Sequence, residues 1–277
     1  MELSVKEPRY QLADLLRVME RLRDPQTGCP WDIRQDFRSI VPSTLEECYE
    51  LAQAIEHEDY PHVAEELGDV LFQVIFYAQL GREQDLFSFA SVVDGLVDKL
   101  LRRHPHVFRD GEIEGVVADR ASVESVKQSW EAIKQQERHG KSLSGILADV
   151  PVALPALPRA QKLQKRAAQV NFDWPDAQGV LAKLEEEIGE LREALAAGNE
   201  AAVGEEMGDI LFTSVNLARK LGLNAEASLR AATAKFETRF QVMEGAAEQA
   251  GTALAQLPAE ELEAHWNAAK RAERGLC

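Results

Sequence analysis

The feature that most constrains this chain is a repeat. The segment EELGDVLF at 65–72 returns as EEMGDILF at 205–212, and Glu47-x-x-Glu50 returns as Glu187-x-x-Glu190, all displaced by 140 positions. Farther along, Lys99, Arg103, Trp130 and Lys134 return as Lys235, Arg239, Trp266 and Lys270, displaced by 136. The second copy is therefore four residues shorter between the two blocks, and the deletion falls opposite Gly81 to Ser88, around Leu221 to Asn224. That stretch reads as a loop, where changes of length are tolerated. Two copies of one unit are the simplest account. Chain breakers gather between them, from His139 to Pro158, with Pro151 and Pro155 inside the stretch. We expect an N-terminal domain at 1–139, a Pro-rich linker at 140–158 and a C-terminal domain at 159–277.

The unit should be helical. Leu184, Ile188, Leu191 and Leu195 recur at helical spacing, as do Val70, Leu71, Val74, Phe76 and Tyr77. Aromatic residues are only 6% of the chain, and alternating β-branched runs are scarce. The expected fold class is all-α, two tandem helical bundles. In each copy two acids three apart are followed 16 residues later by two more: Glu47 and Glu50 then Glu66 and Asp69, Glu187 and Glu190 then Glu206 and Asp209. Residues three apart share a helix face. The midpoint of the second set is Gly198-Asn199, a left-handed glycine beside a helix-capping Asn. The midpoint of the first is Glu58, beside Asp59-Tyr60-Pro61, where Pro can open the next helix. Each copy then folds as a helical hairpin whose four carboxylates meet at one level, about 12 Å from the turn at ~1.5 Å per residue.

Four facing carboxylates repel unless they are protonated, matched by bases or neutralised by a cation. An all-oxygen set without His favours a hard cation, Mg²⁺ with Mn²⁺ able to substitute, over zinc or a di-iron centre. Mg²⁺ keeps waters and commonly bridges to phosphates, so a phosphate ester or anhydride is the natural substrate class. Lys235 and Arg239, and again Trp266 and Lys270, are four apart; they offer cations for phosphates and a ring to stack on a base. Each motif alone is ordinarily a solvated helix face or a core residue. Their recurrence in register, where exposed HEDYPHVA has diverged to AAGNEAAV, favours function.

Other classes fall away. The net charge of −16 speaks against a nucleic-acid polymer as partner. The most apolar stretch, Leu67 to Leu80, holds Asp69, Gln73 and Gln79 and is too short and polar to span a membrane. Three widely spaced cysteines suggest neither a disulfide framework nor a zinc site, and no secretory signal is visible, so a cytoplasmic location is expected. Gly140-Lys141-Ser142 resembles the end of a P-loop, but Gln135 stands where that loop needs Gly. His104-Pro105-His106 has no histidines in the second copy and reads as a helix end.

The paired EExxE and ExxD motifs resemble those of the all-α nucleoside triphosphate pyrophosphohydrolases of the MazG type. The likeness extends through GCPWD at 28–32, TLEECYEL at 44–51, RRHPHVF at 102–108 and RAQKLQKRAAQVNFDW at 159–174. It implies Mg²⁺-dependent hydrolysis of a nucleoside triphosphate to the monophosphate and pyrophosphate, by a homodimer whose two subunits build each site. It implies metal ligands at Glu187, Glu190, Glu206 and Asp209, with Glu186 as a base or further metal contact. Nucleotide contacts would fall on Lys183, Lys235, Arg239, Trp266 and Lys270. The halves are not equal: Ser43 stands at the position of Lys183, and Phe76 at that of Asn216, which is seven residues after Asp209 and offers a further polar contact. The C-terminal domain is therefore expected to carry most turnover, the N-terminal domain keeping its ligands Glu47, Glu50, Glu66 and Asp69. Two other readings remain: a pyrimidine-specific hydrolase like the dimeric dUTPases, and a non-catalytic helical regulatory module with structural Mg²⁺.

Overall fold

The computed structural model of the protein describes residues 9–116, 122–126, 129–130, 133, 137 and 145–274, and among them no strand occurs. The chain divides into two compact units, Met1–Gly140 and Lys141–Cys277. The first contains α1 (Leu12–Leu22), α2 (Pro30–Arg34), α3 (Val41–Glu56), α4 (Tyr60–Glu83) and α5 (Phe89–Arg103). The second contains α6 (Ala156–Ala168), α7 (Ala177–Ala197), α8 (Glu200–Lys220), α9 (Ala225–Gln249) and α10 (Ala259–Arg274).

The hairpins α3/α4 and α7/α8 are the centre of each unit. Gly198 ends α7 at φ 63°, and the Asn199 side chain accepts the Ala202 N–H at 3.3 Å to start α8. Register for register, Glu58 takes φ 56°, and the Asp59 carboxylate accepts the His62 N–H at 3.3 Å with Pro61 in the first turn of α4. Asp176 caps α7 in the same way, accepting from the Gly179 N–H at 2.9 Å. These caps satisfy amides that have no partner within the helix. His104 ends α5, its Nδ1 2.7 Å from the Leu100 carbonyl oxygen.

Two expectations need correction. The four extra residues of the first copy do not simply lengthen a loop. Gly81 to Glu83 are helical, so α4 has 24 residues and α8 has 21. Gly222, at φ 75°, takes the left-handed position just past α8, whereas its counterpart Arg82 lets α4 run on. The expected linker at 140–158 also ends too late. Asp149 accepts a hydrogen bond from Arg166 Nη2 at 2.5 Å, Val150 is buried, and Pro158 lies in the first turn of α6, where the missing N–H costs nothing. Residues 138–144 lie outside the described residues.

The cores differ in character. In the N-terminal unit Met19, Ile40, Ile75, Phe76 and Leu80 are buried together, with Leu16, Phe37 and Phe72 against them. The C-terminal unit buries smaller apolar groups, among them Val180, Val215, Met243 and Ala247, and each unit also buries polar side chains, Glu66 and Gln73 in the first and Thr213 and Asn216 in the second. Helix α1 packs on α4 as α6 packs on α8, so the repeat begins one helix before the acidic motifs.

Candidate metal centres

Each hairpin brings three carboxylates together, though not the same three. Oxygens of Glu47, Glu66 and Asp69 lie within 4.8 Å of one another, as do those of Glu187, Glu190 and Glu206. Glu50 and Asp209, expected as fourth members, stand outside these sets but within electrostatic reach. Burial pushes the Glu47 carboxyl above its ordinary range, and Asp69, Glu50 and Glu66 push it further. Burial likewise raises Glu206, helped by Glu190, Glu187 and Asp209. Glu190 is raised by burial and by its contact with the Glu187 carboxyl, against the opposing charge of Lys183. Such sets are relieved by a cation, and the donor chemistry fits one: all oxygen, with Glu66 Oε2 buried and without any hydrogen-bond partner. The structure therefore supports a divalent cation at these positions.

The countercharges differ. In the C-terminal unit Lys183 Nζ lies 2.6 Å from Glu186 and 3.0 Å from Glu187, and these contacts raise its pKa. In the N-terminal unit Ser43 holds that position, and His62 Nε2 instead sits 2.7 Å from Glu66 Oε1. The counterpart of His62 is Ala202.

The basic residues form a second cluster on α9 and α10. Arg239 donates to Glu273 from Nε at 2.8 Å and from Nη2 at 2.5 Å. Its guanidinium lies 5.6 Å from the Trp266 ring centre, and Lys270 Nζ lies 6.0 Å from it. Phe236 packs against the same ring at 5.4 Å. Lys235 is exposed. In the first unit Arg103 and Arg102 both grip Glu137, at 2.5 and 2.6 Å, and hold its pKa down to about 2. Trp130 meets His104 edge-on at 5.0 Å. Lys134 lies outside the described residues. Glu137 and Glu273 stand 136 apart, so the second offset could have found them; neither was singled out from the sequence.

The model of the MazG nucleotide pyrophosphohydrolase domain matches this chain twice, at residues 35–108 and 176–242. The chain is 46% identical over 270 residues to a nucleoside triphosphate pyrophosphohydrolase of Escherichia coli (strain K12), covering 96% of this chain and 99% of that protein. It is 44% identical to the nucleoside triphosphate pyrophosphohydrolase/pyrophosphatase MazG of Thermotoga maritima, covering 96% and 98%. The uncharacterized protein YabN of Bacillus subtilis (strain 168) is 40% identical, with 96% of this chain matching 53% of that one. The chain belongs to the MazG family.

Both MazG matches enclose a complete acidic hairpin, and the second also encloses Lys183, Lys235 and Arg239. Trp266, Lys270 and Glu273 lie beyond it. Asn216, expected to face nucleotide, is instead 3% exposed, and its Oδ1 accepts from Arg219 Nε at 3.1 Å and Nη2 at 2.6 Å. The structure gives it a different employment from the one its helix position suggested. Arg219 also bonds Asp173, and Lys220 reaches the same carboxylate at 2.7 Å. Burial raises Asp173, but these two cations outweigh it and hold the carboxyl below its ordinary range. The network ties the NFDW turn to the end of α8 just ahead of the acidic helix α7. In the N-terminal unit Arg23 does comparable work, bonding Glu83 at 2.7 Å and the carbonyls of Asp32 and Gln35. These fastenings were not read from the sequence.

Proposed function

We propose that this MazG protein is a homodimer that hydrolyses nucleoside triphosphates to the monophosphate and pyrophosphate with Mg²⁺, and that its C-terminal unit carries most of the turnover. The observation that carries the reading is the Glu187, Glu190 and Glu206 set with a lysine set against it, in a chain whose MazG relatives match nearly end to end. A bound Mg²⁺ supplies neutralisation of phosphate charge and a water of lowered pKa. Lys183 orients Glu186 and Glu187, and its ammonium is available to an incoming phosphate. Glu186, the more exposed of its two partners, takes the proton of the attacking water once Lys183 has turned to the phosphates. Arg239, Lys235 and Lys270 receive phosphates and stabilise the leaving pyrophosphate, and Trp266 offers its ring to the base.

The apolar residues Leu181, Leu195, Met207, Leu211 and Phe212 stand 38–59% exposed on the C-terminal hairpin, a face suited to a second copy. The free thiols of Cys29 and Cys48 suit a reducing cytoplasm, and among the described residues no helix is long and apolar enough to cross a membrane. The deciding experiment is pyrophosphate release from the common NTPs and dNTPs with Mg²⁺. Glu187→Ala should abolish it while Glu47→Ala leaves most of it; the reverse pattern moves the turnover to the N-terminal unit. A strong preference for dUTP would reassign the chain to the pyrimidine-specific reading.

A further inference from the structure

The two acidic sets differ in what stands beside them. Glu66 is 7% exposed; one of its oxygens is 2.7 Å from His62 Nε2 and the other is buried without a partner. An imidazole N–H donated to Oε1 fixes the carboxylate that joins Glu47 and Asp69, and leaves Oε2 buried without a protein partner. A buried carboxylate oxygen left unpaired is costly, and a cation removes that cost. Groups that orient a metal ligand from behind strengthen the site they serve. The C-terminal set lacks this support, having Ala202 in place of His62. It has instead a resident ammonium 3.0 Å from Glu187, which a divalent cation must displace or endure as a like charge.

We propose that the N-terminal set is the tighter divalent-cation site of the nucleotide-free protein, with His62 as the residue that positions Glu66. The C-terminal set is kept weak by Lys183 until phosphates draw the ammonium away. This rests on the reading of both sets as cation centres. It divides the work of the duplicated hairpin: one centre is loaded at rest, and the other is loaded together with its substrate.

The test is titration of the full-length, nucleotide-free chain with Mn²⁺, reading the free ion by electron paramagnetic resonance. Two classes of site are expected, about tenfold or more apart. Glu47→Gln should remove the tight class and Glu187→Gln the weak one; Glu66→Asp replaces the first variant if it does not fold. His62→Ala should weaken the tight class by about tenfold or more, and His62→Gln, which keeps an N–H donor, should restore most of it. Lys183→Met should tighten the weak class. A single class of equal sites, loss of the tight class in Glu187→Gln, or an unchanged tight class in His62→Ala overturns the proposal. Absence of Mn²⁺ binding, or binding unaltered in both acidic variants, overturns instead the reading of these sets as cation centres.

Discussion

At Glu47, Glu190 and Glu206 the carboxyls bind a proton more tightly in the folded chain than their ordinary value of 4.5, because burial and neighbouring acids disfavour the charge. A group of this kind favours folding while protonated, and its contribution is lost as pH rises through the raised pKa. The metal-free protein therefore sheds stability from these groups as pH climbs above about 4.5, while a bound cation both needs and rewards the ionised form. Melting midpoints measured with Mg²⁺ and with a chelator should diverge steadily from pH 4.5 towards neutrality; a gap that does not change with pH would contradict the assignment. The opposite sign holds at Glu137, whose pKa of about 2 lends stability above the ordinary carboxylate range and loses it as pH falls towards 2. Glu273 poses a separate question, since it occupies the arginine that is to receive phosphate. An exposed pair of this type is worth up to about 1 kcal/mol. Glu273→Gln should lower KM for the triphosphate by up to about fivefold with little change in kcat, measured by initial rates.

The hairpins show why some elements can be read from a sequence and others cannot. Gly198-Asn199 and Asp59-Tyr60-Pro61 announce their turns because a left-handed residue, a cap and a fixed φ are local requirements. The extension of α4 through Gly81 to Glu83 was not legible, because the stretch from Gly81 to Ser88 read as loop, and the left-handed glycine that ends the helix, Gly222, is in the other copy. The fate of Asn216 was equally hidden: a helix position predicts a face, but burial against Arg219 depends on a turn more than 40 residues away. Local strain makes a prediction here. Glu58 adopts at φ 56° the conformation that Gly198 takes at no steric cost. Glu58→Gly should stabilise the N-terminal unit by about 0.5–1 kcal/mol, and Gly198→Ala should destabilise the C-terminal unit by about 1 kcal/mol, both read by urea denaturation.

Across the whole chain, duplication made the site partly visible before any coordinates. That the carboxylates of each hairpin meet follows from their spacing, as do their charge and their preference for a hard cation, although spacing called for four and three come together. Identical spacing could not say which acid would be left out, since the two copies leave out different ones, with His62 beside one set and Lys183 beside the other. The 136-residue offset also carried Glu137 and Glu273, but it could not say that these acids would hold Arg103 and Arg239. In the proposed homodimer a second copy covers the exposed apolar residues of α7 and α8, and sedimentation equilibrium at micromolar concentration should return the mass of a dimer. A stable monomer would remove that part of the reading.

All the oxygen donors of a candidate centre lie on two successive helices joined by a tight turn, within 23 residues from Glu47 to Asp69. Such a constellation assembles from neighbours along the chain, with little loop entropy to overcome. It is a portable cassette: it survives being copied whole, and each copy can then be retuned by changing one residue behind it without dismantling the grip itself.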